Sequence, residues 1–315
     1  MADKKIVAVV GATGEQGGSL VRAITSDPNG GFTARALTRN PESDAAKALA
    51  ALGAEVVAAD IDDEAAIERA FEGAYGAFCV TFFWEHMTPD IEQAQAAAMA
   101  RVAKTKGLQH VIWSTLEDSR ERIPLSDDRM PTLNRWKVPH YDAKAEVNHF
   151  FTDAGVPTTF LHASFNWENF IRFGMGPARG EDGKLRLTMP MGSAKLAGMG
   201  SEDVGRSAYG IFKAGDAYIG KTVSVAGEHL TGTEMAAAFT KALGEDVEYN
   251  EVSADVYRSF GFPGADEVGN MFQFMRDFEK EYAGPRDVDA TRALNLQLQS
   301  FGSWLAANVS RVPIA

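Results

Sequence analysis

The stretch Ile6–Leu20, IVAVVGATGEQGGSL, constrains this chain more than any other. An apolar run of β-formers ends in a turn with Gly11, Gly14 and Gly17, and a helical pattern follows through Ser19, Leu20, Val21, Ala23 and Ile24. Strand, glycine turn and helix in that order set backbone N–H groups at a helix N-terminus, where the helix dipole favours an anion. The spacing is G-x-x-G-x-x-G, close to the dinucleotide fingerprint but not identical with it. Glycine spacing alone specifies little. The strand before it and the helix after it make it a phosphate-holding turn, the alternative being a glycine-rich turn without a ligand.

The rest of the composition narrows the class. At 315 residues the chain can bury a large core. A net charge of −12 argues against general nucleic-acid binding, which needs a basic face. No apolar run approaches the roughly 20 residues of a membrane helix. The N-terminal Met-Ala-Asp-Lys-Lys leads directly into the first strand, so no secretory signal is expected. Cys79 is the single cysteine, which excludes an internal disulfide and a multi-cysteine metal site and suits a reducing, cytoplasmic setting. The six histidines show no metal-binding spacing, and H-E-x-x-H, G-x-S-x-G and Walker motifs are absent, so no metal is expected.

Strands and helices alternate through the first half. Strands are expected at Ile6–Val10, Thr33–Leu37, Glu55–Ala58, Ala77–Thr81, His110–Ser114 and Thr158–Leu161. Helices are expected at about Ser43–Leu52, from Asp62–Asp63 through Phe71, at Asp90–Lys106 and at Asp142–Ala154. This is the pattern of an α/β fold: a doubly wound parallel sheet of Rossmann type with helices on both faces. A smaller, mostly helical C-terminal domain is expected beside it. Residues 1–163 make the nucleotide-binding domain, with 201–226 returning to it as a helix and a strand. Residues 164–200 and 227–315 make the smaller substrate- or partner-side domain.

In such sheets ligands sit at the carboxyl ends of the strands, by the switch point. After strand two stands Arg39, where NAD-binding chains carry an acid for the ribose 2′-hydroxyl. A guanidinium pairs with a 2′-phosphate, which favours NADP(H); a solvated surface arginine is the alternative. After strand three, Asp60 and Ile61 are candidates for the adenine edge, whereas Asp62 and Asp63 read as helix caps. After strand four, Thr81, Phe82, Phe83, Trp84, Glu85, His86 and Met87 form an apolar, aromatic loop suited to the nicotinamide end or a substrate wall, or to plain packing. After strand five come Ser114 and then His140, Tyr141 and Lys144 on the next helix. After strand six, Asn166 and Asn169 offer the donors and acceptors that amide recognition needs. Phe165 and Trp167 offer apolar walls there, or else belong to a core cluster.

The segments GATGEQGG, TRNP, GAEVVAADIDD, TFFWE, VIWSTLED, VPHYDAKAEV, FNWENF and FPGADEVGNMFQFM together resemble the NmrA-like family of atypical short-chain dehydrogenase/reductases, and most of all its HSCARG-type NADPH sensors. The resemblance implies a Rossmann domain binding NADP(H), with a small C-terminal domain over the cofactor. It implies cofactor contacts from Gly11, Thr13, Gly14, Glu15, Gln16, Gly17, Arg39, Asp60, Ile61, Thr81, Phe82, Phe83, Lys144, Asn166, Trp167, Glu168 and Asn169. Trp84, Glu85 and Phe165 would line a substrate or partner pocket.

One departure has chemical content. Active short-chain dehydrogenases place Tyr four residues before Lys, so that one helical turn brings phenol and ammonium together. Here His140 holds that place, and Tyr141 lies three before Lys144. Three roles for His140 compete: a structural or cofactor-contacting residue, a substitute general acid, or a bystander while Tyr141 acts. Lys144 and Ser114 are kept in kind. Two functions follow. The first is an NADP(H)-binding sensor or regulator with little or no turnover, acting on a regulatory protein. The second is an NADPH-dependent reductase of a small aromatic or carbonyl compound that relies on Lys144. In either case the expected state is a monomer or a weak homodimer without membrane or nucleic-acid partners. The charged segment Glu117–Pro139 is expected to be a lid or a recognition surface.

Overall fold

The computed structural model describes residues 4–314. Its first strand, β1 (Lys5–Val9), runs into the glycine turn and then into α1 (Glu15–Thr25). There follow β2 (Phe32–Thr38), α2 (Asp44–Ala51), β3 (Glu55–Ala58), α3 (Glu64–Phe71), β4 (Gly76–Cys79), α4 (Phe83–His86), α5 (Pro89–Thr105) and β5 (His110–Thr115). After an excursion come α6 (Pro139–Glu146), α7 (Asn148–Asp153) and β6 (Thr158–His162), and after a second one α8 (Ser201–Lys213) and β7 (Thr222–Ser224).

These seven strands form one sheet in the order β7-β6-β5-β4-β1-β2-β3. The pairings from β1 to β6 are parallel. The chain moves outward from β1 to β3 and then restarts at β4 on β1's other side, so the switch point lies between β1 and β4. The glycine turn leaves β1 there. Strands that are covered on both faces read as continuous apolar runs, and β4 and β5 are buried at every residue. Ala8, Val10, Cys79, Val111 and Trp113 meet Ile67, Phe71, Met99, Val102 and Phe151 from the helices in one core.

Local chemistry sets the helix boundaries. Ser43 caps α2 by accepting from the Ala46 N–H, and Asp63 caps α3 by accepting from the Ala65 N–H. Pro139 opens α6, where its missing N–H costs nothing. The single helix expected at 142–154 is therefore two, starting earlier and separated at Val147. The loop expected at 81–87 contains the one-turn helix α4.

The chain divides into two units. The first comprises residues up to Asp118, His140–Ala163 and Ser201–Val223; the second comprises Ser119–Pro139, Ser164–Gly200 and residues from Ser224 onward. The second unit carries helices at Gly232–Leu243, Ala265–Asp277 and Phe301–Asn308. It also carries strands that the sequence reading does not contain. Val247–Glu251, Leu185–Met189 and Ala178–Arg179 form one three-stranded sheet; Glu228–Leu230, Leu196–Met199 and Phe165–Asn166 form another.

The segment 119–139, expected as a lid or a recognition surface, is a packed piece of the second unit. Ile123, Met130, Trp136 and Val138 are buried, and so is Lys137. The Lys137 ammonium donates to the carbonyls of Asp127 and Met130, both at 2.7 Å. Asn270 donates to the carbonyls of Pro131 and Lys137, and Gln273 to that of Arg129.

Candidate functional site

In the first unit the glycine turn is built by close approach. Gly11 lies at φ +64°, in the left-handed region that side chains disfavour. A Cβ on Gly17 would stand 2.4 Å from the Gly11 carbonyl oxygen, so α1 starts closer to the turn than any other residue would permit. The Gly14 N–H donates to the Gly11 carbonyl at 2.9 Å. Gly14 is also the N-cap of α1 and supplies no side-chain cap. The end of the helix is thus open to an external acceptor rather than closed by its own hydroxyl or carboxylate. Gln16, in the first turn of α1, accepts from the Ser114 hydroxyl at 2.8 Å, which brings the turn and the carboxyl end of β5 together. Thr13 is exposed beside them.

At the carboxyl end of β2, Arg39 Nη1 donates to Glu85 Oε1 at 2.6 Å. Glu85 foremost, with the charges of Asp60 and Asp62 added, raises the pKa of the guanidinium above its ordinary value. Asp60 accepts from the Asp62 N–H, and Ile61 leans on the sheet core. Asp62 accepts from Gln95 Nε2.

At the carboxyl end of β4 the chemistry is buried. The Lys144 ammonium donates to the Thr81 carbonyl at 3.0 Å, to the Thr81 hydroxyl at 2.6 Å and to Glu92 Oε1 at 2.7 Å. An ammonium has three protons, and these bonds use all three. The Thr81 hydroxyl in turn donates to the same Glu92 oxygen at 2.6 Å. Glu92, on α5, has no exposed surface, and its Oε2 has no hydrogen-bond partner among the described residues. The backbone is fastened too: the Thr115 hydroxyl donates to the Lys144 carbonyl. One turn earlier, the His140 ring lies 5.0 Å from Trp84, 5.9 Å from Phe83 and 4.8 Å from Tyr141, centroid to centroid. The segment after β4 and the start of α6 therefore share an aromatic cluster, and His140 and Tyr141 are buried in it. Phe82 points outward, more than half exposed.

Glu92 is absent from the sequence reading. Its signal was a lone carboxylate early in an alanine-rich helix, indistinguishable there from a dipole-favoured surface residue. Also unforeseen is His162, whose Nδ1 stands 3.6 Å from Glu117 Oε1 beyond the paired ends of β5 and β6. Burial pushes the Cys79 thiol up, as suits an inert core residue.

The remaining candidates lie in the second unit. Phe165 and Trp167 are core residues there. Trp167 packs 5.2 Å from Phe301 and 6.0 Å from Trp304, and Phe165 5.5 Å from Phe170. Glu168 accepts from Trp304 Nε1 at 3.0 Å, Asn166 accepts from the Glu168 N–H, and Asn169 opens a one-turn helix.

The NmrA-like family profile matches residues 3–300. The chain belongs to the NmrA-like family. An NmrA-like family domain-containing oxidoreductase, FrzB, of Cladobotryum sp is 28% identical over 311 residues, spanning 93% of this chain and 90% of its own. The crystal structure of a mutant NmrA matches this NmrA-like chain with a TM-score of 0.80 at 25% identity, covering 96% of this chain and 95% of that one. NmrA, a negative transcriptional regulator, in complex with NADP matches with a TM-score of 0.77 at 24% identity over the same shares. No helix among the described residues is long and apolar enough to cross a membrane.

Proposed function

We propose that the first unit binds NADP(H) and that the chain is a nucleotide-responsive regulator with little or no hydride-transfer turnover. The glycine cradle fits the dinucleotide: Gly17 leaves no room for a side chain, and α1 has no side-chain cap of its own. Gly11, Thr13, Gly14, Glu15, Gln16 and Gly17 would hold the pyrophosphate, Arg39 the 2′-phosphate, and Asp60 with Ile61 the adenine. Thr81, Phe82, Phe83, Ser114, His140, Tyr141 and Lys144 fall to the nicotinamide end. NADP bound to the similarly folded NmrA supports this assignment.

When bound, the reduced cofactor supplies a hydride, and a reductase must then supply a proton. The observation that carries the regulator reading is the state of Lys144. All three of its protons are committed to Thr81 and Glu92, and the residue four before it is His140 instead of the usual tyrosine. Freeing the ammonium means breaking a buried ion pair, which costs about 3–5 kcal/mol. Held there, Lys144 fastens α6 to α5 and the end of β4. The output is then a surface read by a regulatory protein, and the single buried thiol suits a cytoplasmic setting.

The aromatic cluster of Phe83, Trp84, His140 and Tyr141 favours a second reading, a reductase of a small aromatic or carbonyl compound, in keeping with the name of the Cladobotryum relative. One pair of measurements separates the two. NADPH, NADP+ and NADH are titrated against tryptophan fluorescence, and NADPH consumption is followed with a quinone, an aldehyde and an enone. The regulator reading expects saturable NADPH binding without turnover. Consumption at about 1 per second or faster, an ordinary enzymatic rate, would establish the reductase instead. Tighter binding of NADH than of NADPH would remove the role given to Arg39.

A further inference from the structure

The residues around Arg39 carry a further step, which rests on the NADP(H) reading above. Its guanidinium is already engaged: Nη1 donates to Glu85 Oε1 at 2.6 Å. The partner comes from the segment that follows β4, 46 positions along the chain. Asp60 and Asp62 add two more negative charges nearby, and both contribute to raising the Arg39 pKa. One positive charge therefore faces three negative ones before any ligand arrives. A phosphate monoester brings a further charge of about −1.5 to −2 and needs the guanidinium's fork to bind bidentately.

The three carboxylates are not equally fixed. Asp60 is held in a turn by the Asp62 N–H, and Asp62 by Gln95. Glu85 sits with its side chain half exposed on the one-turn helix α4. That helix has no side-chain cap and ends at Met87 in the left-handed region, φ +51°. A single uncapped turn ending in an unfavourable residue has little stability of its own.

We propose that Glu85 is a resident competitor for Arg39, which a 2′-phosphate must displace and a 2′-hydroxyl leaves in place. Glu85 then sets how strongly the site prefers NADP(H) to NAD(H). Removing its charge helps the phosphorylated dinucleotide and does little for the other. The pair is solvent-exposed, so the effect is several-fold and not a thousandfold.

The test is an equilibrium titration of wild type, Glu85→Gln, Arg39→Met and the double variant with NADPH and with NADH. Glu85→Gln is expected to bind NADPH about 3- to 10-fold more tightly while its NADH affinity moves less than about twofold. Arg39→Met is expected to lose the preference, and adding Glu85→Gln to it is expected to change nothing further. NADPH binding with the same NADPH-to-NADH ratio in wild type and Glu85→Gln overturns the role of Glu85 alone. Failure of the wild type to bind either dinucleotide overturns the NADP(H) reading and this proposal with it. Both substituted side chains are exposed, so far-ultraviolet circular dichroism checks that the variants remain folded.

Discussion

Glu92 shows what a single buried carboxylate decides. It lies in α5 with no exposed surface, and its Oε1 accepts hydrogen bonds from the Lys144 ammonium and the Thr81 hydroxyl. The pair is dry on one side: the Lys144 side chain is 11% exposed and that of Glu92 is 0% exposed. In such a pair the attraction offsets the desolvation of both ions, so removing one partner leaves the other uncompensated. Glu92→Gln is therefore expected to lower stability by about 3–5 kcal/mol, read as a shift in the urea midpoint of the cofactor-free chain. Glu92→Leu combined with Lys144→Met replaces both ions by apolar groups and is expected to recover most of that loss. A midpoint for Glu92→Gln equal to that of the wild type would mean that the ion pair contributes nothing. The lysine was legible at four residues after His140. Its counter-ion was not, because Glu92 lies 52 positions away and only the sheet brings the two together.

At the scale of elements, β5 carries a built-in pH dependence at its first residue. His110 has no exposed surface. The Thr159 hydroxyl donates to the Tyr218 carbonyl at 2.8 Å, so it is free to accept from His110 Nε2, also at 2.8 Å. This bond network assigns the proton to Nε2, and Nδ1 has no partner among the described residues. Burial lowers the His110 pKa from 6.5 to about 4, with the charge of Asp216 pulling weakly the other way. The unfolded chain then binds the proton more readily than the folded one. Stability is full above pH 6.5, falls as the pH drops below it and levels off near pH 4. At pH 5 the loss from this one group is about 2 kcal/mol. His110→Gln keeps a donor toward Thr159 without the titration. Urea midpoints at pH 7.5 and pH 5 are expected to differ less in that variant than in the wild type, and an equal pH dependence would remove His110 from the account. The strands of this unit were legible because the sheet is covered on both faces, and α2 and α3 because they carry their own caps. Glu55–Ala58 falls at its expected bounds, and Asp63 caps the helix it was expected to cap. The one-turn helix Phe83–His86 was not legible, since four residues are too few for a period to show.

For the whole molecule, the excursion 119–139 marks where local pattern stops informing. Nothing in its charges and prolines announces that it is packed, because its partners lie 133 to 144 positions further along, on Ala265–Asp277. The short strands at Ala178–Arg179 and Phe165–Asn166 were hidden because two residues show no alternation, and the mate of the second, Gly198–Met199, is remote. Asn270 is the joint that makes the excursion a folded piece. It is fully buried, and its amide donates to the carbonyls of Pro131 at 2.9 Å and Lys137 at 2.6 Å. Its own carbonyl accepts from Arg258 Nη1 at 3.0 Å, and the same Nη1 donates to Gln273 at 2.8 Å. Every polar atom of the Asn270 side chain is thus used. Leucine has nearly the same size and none of these bonds, so Asn270→Leu leaves the buried Lys137 carbonyl without this donor, at about 1–3 kcal/mol, and removes the part-buried bond to Pro131 as well. That loss falls on the docking of one segment, so local opening is the expected outcome. Trypsin reads it directly, because Arg129, Arg135 and Lys137 lie within the segment. Where opening is fast relative to cleavage, the rate follows the open population, and about 1.4 kcal/mol is a factor of ten. Asn270→Leu is therefore expected to be cut between residues 119 and 139 at least about ten times faster than wild type. Equal cleavage rates in the two proteins would show that the segment is held by its buried Ile123, Met130, Trp136 and Val138 rather than by this amide.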